Sequence, residues 1–267
     1  MPDDLSARRS RLAVVLFNLG GPDRPEAIYP FLRNLFSDPA ILRVPFFVRP
    51  ILARIIARAR REPATANYAL LGGRSPLLGL TQKQADALQA RLAAEDPDRE
   101  VRCFIAMRYW HPFAADVARE IAAWAPEHVL LVPLYPHYST TTTGSSLTDW
   151  RESAARAGLV AETTTLCCYP EDAAYIAAEA QRLTLAYAQA QASLPVGVGL
   201  RVLFSAHGLP QSIVDAGDPY AWQIERTAQA VLAAWGTTAI DWQICYQSRA
   251  TPQKWLEPST EQAIEKA

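Results

Sequence analysis

Short apolar runs rich in Val, Ile, Leu and Phe recur along the chain, each closed by a turn and followed by a longer stretch whose apolar residues return at helical spacing. The first rhythm is that of buried strands and the second that of amphipathic helices, so their alternation predicts an α/β fold with parallel sheets. Strands are predicted at Leu12 to Leu19, Val101 to Met107, His128 to Leu134, Glu162 to Cys168, Arg201 to Ala206 and Ile240 to Tyr246. Helices are predicted at Pro25 to Phe36, Leu80 to Ala94, Phe113 to Trp124, Ala173 to Ala192 and Tyr220 to Trp235. The loop ALLGGRSP, from Ala69, carries the glycine and proline punctuation of a turn.

An internal echo divides this rhythm. VLFNLGGP (Val15 to Pro22) and VLFSAHGLP (Val202 to Pro210) share an apolar strand, a small polar residue, a glycine turn and a proline. Two such units predict two similar α/β halves, residues 1–170 and 171–267, with the boundary near Pro170. The second half holds only two predicted strands before the sequence ends in PSTEQAIEKA, a helix with Ser259 or Thr260 as N-cap. So short a parallel sheet is poorly buried, and the second half is expected to be incomplete.

Composition narrows the function classes. Half of the 267 residues are hydrophobic, one in five is charged and the net charge is −1. That balance gives a globular core and no general attraction for nucleic acid, and no apolar run approaches the roughly 18 residues of a membrane span. The N-terminal MPDDLSARRSR lacks the apolar region of a signal peptide, which points to a cytoplasmic address. Cys103, Cys167, Cys168 and Cys245 form no CxxC pair and read as small core residues rather than as a metal site. No GxGxxG follows a strand, and neither GxxxxGK[ST] nor GxSxG occurs, which removes the dinucleotide, P-loop and α/β-hydrolase readings.

In open α/β sheets ligands bind outside the carboxyl ends of the strands. The residues just past those ends are Asn18, Gly20 and Gly21; Arg108, Tyr109 and His111; Tyr135, His137, Tyr138 and Ser139; His207; and Gln247, Ser248 and Arg249. His207 sits between Ala206 and Gly208, small neighbours that leave an imidazole accessible to take a proton or ligate a metal; the alternative is a structural histidine. The hydroxyl-rich STTTTGSS (Ser139 to Ser146) precedes a helical segment and reads either as a cap or as an anion site for a ligand carboxylate. RVPFFVRPILARIIARARR (Arg43 to Arg61) combines six arginines, no acid and several large apolar residues. It reads as a basic amphipathic helix: an ordinary surface helix, a contact with an anionic membrane, or a lid whose Arg60 or Arg61 pairs with ligand carboxylates.

VLFSAHGLP, GDPY (Gly217 to Tyr220) and YQSRATPQKWLEPST (Tyr246 to Thr260) together resemble ferrochelatases, as do NLGGPD, LFSDPAIL, LGGRSPLLGLTQKQ, AMRYWHP and YPHYSTTTTGSSL. The resemblance runs through nearly the whole chain in order. It implies two Rossmann-like halves with a cleft between them, and insertion of Fe²⁺ into a porphyrin, protoporphyrin IX or a related dicarboxylate or tetracarboxylate, to form haem. His207 matches the family's active-site histidine, a proton acceptor, metal ligand or both. Tyr68, Ser75, Arg108, Tyr109, Tyr138, Ser139, Ser145 and Ser146 match residues of its porphyrin pocket, and porphyrin and ferrous iron are the expected partners. The carboxylate that the family pairs with this histidine has no match here, so the resemblance leaves proton relay or metal binding impaired in the chain as written. Thr140 stands where some members carry a cluster cysteine, and no iron–sulfur cluster or other cofactor is expected. The competing readings are a non-enzymatic porphyrin or metal binder and a chelatase for another tetrapyrrole and metal.

Overall fold

The computed structural model describes residues 9–195, 197–236, 240–249 and 253–267, and it divides into two compact units. The first runs to Tyr135 and includes Thr140–Cys167; the second comprises Pro136–Ser139 and everything from Cys168 on.

The first unit is a parallel sheet of order β2-β1-β3-β4, formed by β1 (Ser10–Asn18), β2 (Arg99–Met107), β3 (His128–Pro133) and β4 (Glu162–Thr165). Ala13 to Phe17 are each at most 2% exposed, which is why this central strand is apolar without alternation. Ala13, Val15 and Phe17 face α4 (Ala114–Trp124) and α5 (Ser145–Arg156), while Val14 and Leu16 share the other face with Ala85 of α3 (Leu77–Glu95). A third cluster joins α1 (Ile28–Ser37) and α2 (Arg49–Ala69) to Tyr109 and Trp110.

Three elements differ from expectation, the first being the STTTTGSS stretch, which forms a π-helical turn (Thr140–Gly144) running into α5 with Gly144, not a hydroxyl residue, at the N-cap. The basic helix begins at Arg49 rather than Arg43, because Pro45 interrupts the donor series and Arg49 turns back to donate to the carbonyls of Leu42 and Val44 at 3.2 and 3.0 Å. It then runs past Arg61 to Ala69, burying Ala53 and Ala57 while Phe46, Phe47, Ile51 and Ile55 stay exposed. Strand β4 stops at Thr165 instead of Cys168, and all four of its residues are exposed, as befits a short threonine-rich edge.

In the second unit β5 (Arg201–His207) and β6 (Asp241–Gln247) pair in parallel, from Arg201 opposite Asp241 to His207 opposite Gln247. Helices α6 (Ala173–Ala192) and α8 (Tyr220–Trp235) pack together, with Ile176, Ala180, Val231 and Phe204 at the contact; α7 (Gln211–Asp215) lies between β5 and α8 in the chain. Short α9 (Thr260–Glu265) is fixed by a capping box between Ser259 and Gln262, and Thr260 hydrogen-bonds Ser205 and Cys245. Val202 to Ala206, consecutive residues whose side chains point to alternate faces, line a groove of about 560 Å³ with Tyr175, Ile224 and Val231. The groove therefore follows the backbone edge of β5 that does not pair with β6.

Candidate functional site

The sequence-predicted residues fall into two groups, one at the carboxyl end of each sheet. In the first unit the chain leaves β1 and β3 in opposite directions, and this reversal opens a crevice there. The β1–β2 ladder continues one step into the loops, with Arg108 N donating to Asn18 O at 2.9 Å and Tyr109 N to Leu19 O at 3.0 Å. This fixes the backbone of both residues before their side chains make any contact.

Their side chains converge on Asp38, which follows α1 and is 4% exposed. Its Oδ2 accepts from Tyr109 Oη at 2.8 Å, from Arg108 Nη2 at 2.9 Å and from Ser145 Oγ; its Oδ1 accepts from Ala40 N at 2.8 Å. Arg108 also donates from Nε to Ser145 Oγ at 2.7 Å and lies 3.7 Å from Asp149. The guanidinium is thus neutralised from within the protein. Burial, reinforced by the Asp38 charge, pushes the Tyr109 phenol well up; burial also raises Asp149, with Arg108 pulling it back. Ser146 is buried beside Tyr135, whose phenol is likewise raised by burial. A cavity of about 370 Å³ opens beside Asp38, Arg108, Asp149 and Arg156.

Tyr68 and Ser75 meet at Gly21. A Cβ on Gly21 would lie 2.5 Å from Ser75 Oγ, a contact side chains do not make, and 4.0 Å from Tyr68 Oη. Ser75 is held by its N–H to Pro22 O at 2.8 Å, and its Oγ accepts from Leu77 N at 3.2 Å. Glycine at this position of the first echo is therefore a close-approach requirement. Arg60 and Arg61 are exposed on α2.

In the second unit His207 is the last residue of β5 and is exposed, yet protein packed around its ring desolvates the imidazole and lowers its pKa. Gly208 N donates to Gln247 O at 2.7 Å, and a Cβ on Gly208 would stand 2.9 Å from that oxygen, so the glycine of the second echo also answers to a close approach. The backbone of His207 hydrogen-bonds Tyr220, whose phenol burial raises to about 12. Tyr138 is half-buried and its N–H donates to Gln223 Oε1 at 2.7 Å, while buried Ser139 donates to Asp218 Oδ2 at 3.0 Å. Asp218 also accepts from Tyr220 N at 3.1 Å, a turn that leads into α8 and gives the GDPY motif its structural content.

Asp38 and Asp149 drew no role from sequence reasoning, His137 was read only as a residue past a strand end, and Asp218 only as part of GDPY. The available signal for Asp38 was a single acid between the apolar runs of LFSDPAIL, a place where a carboxylate must find buried partners. His137 Nε2 lies 2.8 Å from Thr227 Oγ1, and burial lowers its pKa to about 4. Between pH 6.5 and 4 the unfolded chain therefore binds more protons at this histidine than the folded one, and stability falls as pH drops through that window, by on the order of 3 kcal/mol. Urea titrations of the parent and His137→Gln at pH 7 and pH 4.5 should show the parent losing more; equal losses would remove the assignment. His207 shifts in the same direction.

Among the described residues no group of three or more His, Cys, Asp or Glu is arranged to hold a metal ion, and no helix is long and apolar enough to cross a membrane. A sequence model of the family described as Ferrochelatase matches residues 11–267. A curated ferrochelatase of Caulobacter vibrioides (strain NA1000 / CB15N) is 51% identical over 257 residues, 96% of this chain and 72% of its own length. That of Phenylobacterium zucineum (strain HLK1) is 52% identical, covering 96% of this chain and 73% of its own. A third, from Wolbachia pipientis wMel, is 44% identical over 96% of this chain and 79% of its own.

Proposed function

Because the chain belongs to the ferrochelatase family, iron-chelating lyases of haem synthesis, we propose that it inserts Fe²⁺ into protoporphyrin IX or a related carboxylated porphyrin, with His207 as the proton acceptor, metal ligand or both. The observation that supports this most is the placing of His207. It ends β5 beside Ala206 and Gly208, and desolvation biases its ring toward the neutral base at neutral pH. Insertion requires two pyrrole N–H protons to leave and a nitrogen lone pair to face the metal, so a neutral base and a wall that bends the ring are the two demands on the protein. Iron is a substrate in this reading, and no resident cofactor or iron–sulfur cluster is invoked.

Tyr68, Ser75 and Tyr138, each partly exposed, are the proposed polar contacts to the macrocycle, whereas Ser139, Ser145 and Ser146 are buried and serve as structural supports. Arg60 and Arg61 are the proposed cations for its propionates. Arg108 and Tyr109 are proposed to act from inside the Asp38 network, since the Arg108 donors are already engaged by Asp38, Ser145 and Asp149. Exposed Phe46, Phe47, Ile51 and Ile55 beside the α2 arginines support a peripheral contact with an anionic membrane surface.

Purified protein mixed anaerobically with Fe²⁺, or with Zn²⁺, and protoporphyrin IX is expected to convert the free-base absorption bands to those of the metalloporphyrin. Porphyrin binding with no conversion by either metal would replace the enzyme by a porphyrin binder, and conversion only with cobalt or nickel would change the substrate.

A further inference from the structure

We propose that His137 is a positioning residue, which holds Tyr138 and Ser139 in place by donating a hydrogen bond from Nε2 to Thr227 on α8. The inference rests on the reading above that Tyr138 touches the porphyrin. Its direction follows from counting protons. The Thr227 hydroxyl has one hydrogen, and it is donated to Pro170 O at 2.6 Å. Toward His137 Nε2, 2.8 Å away, Thr227 Oγ1 can therefore only accept. The ring must carry its proton on Nε2, and the neutral imidazole then has a bare Nδ1.

This bond is one of a series. Pro136 O accepts from Tyr169 N at 2.9 Å, Tyr138 N donates to Gln223 Oε1 at 2.7 Å, and Ser139 Oγ donates to Asp218 Oδ2 at 3.0 Å. Every residue from 136 to 139 is thus tied to the rest of the second unit, and three of the four ties go to α8 or to the acid of the turn that leads into it. His137 is also packed edge-on against Tyr220, with ring centroids 6.0 Å apart, and Tyr220 in turn meets the backbone of His207. The imidazole is therefore fixed by packing on one side and by a directed hydrogen bond on the other, immediately before Tyr138, the residue proposed to meet the porphyrin.

The test compares the parent with His137→Ala, His137→Gln and Thr227→Val. Porphyrin Kd is read by tryptophan quenching, which needs no turnover. His137→Ala and Thr227→Val are expected to raise Kd by about five- to tenfold, and His137→Gln, whose amide supplies an N–H donor, to return it to within about twofold of the parent. Long-range ¹⁵N–¹H spectra of the ligand-free parent should show His137 with a protonated Nε2 and an unprotonated Nδ1. A histidine that only fills space beside Tyr220 predicts no rescue by glutamine, and the tautomer tests the direction of the hydrogen bond itself. Unchanged Kd in a folded His137→Ala protein, equal damage in the glutamine and alanine variants, or a protonated Nδ1 would each overturn the proposal. A parent chain that binds no porphyrin overturns the functional reading and this role with it; one that binds as well as its His137→Ala variant overturns this role alone.

Discussion

His207→Ala is expected to lower the rate of metalloporphyrin formation by about 10²- to 10⁴-fold, the usual contribution of a positioned general base. Porphyrin Kd should stay within a few-fold of the parent, because the residue removed acts on departing protons or on the metal rather than on the body of the macrocycle. The side chain leaves the carboxyl end of β5, and its neighbours Ala206 and Gly208 add no bulk beside it. Gly208 keeps β5 and β6 close at that point, through the hydrogen bond to Gln247 O, so the backbone should be unaffected by truncating the ring. Desolvation lowers the histidine's pKa, and the acidic limb of the parent's rate profile should therefore fall below the ordinary histidine value near 6.5. A His207→Ala protein with undiminished turnover would remove the histidine from the chemistry, and a rate profile flat through that range would remove it as the titrating base.

How much of this was readable from the chain depends on whether a residue's role is local. The run Ala13 to Phe17 announces a strand buried on both faces, and it is one. The sequence offers Ser259 or Thr260 as the cap of the last helix, and Ser259 takes that place, with reciprocal hydrogen bonds to Gln262. The start of α2 was misplaced because an arginine can close a turn by reaching back to carbonyls, and no periodicity records that. Asp38 was invisible for a stronger reason. Its partners Tyr109 and Ser145 lie 71 and 107 residues away, and an acid after a helix reads equally well as an exposed turn residue. His207 could be singled out because its signal, a histidine at a strand end between small residues, is contained within a few positions. The proton on His137 needed three groups from separate segments, Pro170, Thr227 and the ring itself.

Asp38→Asn is expected to cost about 3–5 kcal/mol of stability in the first unit, although it changes neither the volume nor the outline of the side chain. Three donors, from Tyr109, Ser145 and Arg108, converge on Oδ2, and the Ala40 N–H points at Oδ1. An asparagine has one oxygen to offer. If that oxygen faces the three donors, its amide N–H₂ meets the Ala40 N–H; if the amide is turned over, it meets the three donors instead. In both orientations a buried donor is left without an acceptor, and Arg108 loses its charge partner at 2.9 Å, with only Asp149 remaining at 3.7 Å. Asp149 is a weak substitute, because at 3.7 Å it stands beyond hydrogen-bond distance of the guanidinium. The melting temperature should fall by roughly 10 °C or more for a unit of this size. Adding Arg108→Met should recover part of the loss, since it removes the stranded cation, and the cycle should show a coupling of about 1–3 kcal/mol between the two positions. A single Asp38→Asn variant melting within 2 °C of the parent would show that the converging donors find water or one another, and that the Arg108, Tyr109 and Ser145 side chains are held by packing rather than by this carboxylate.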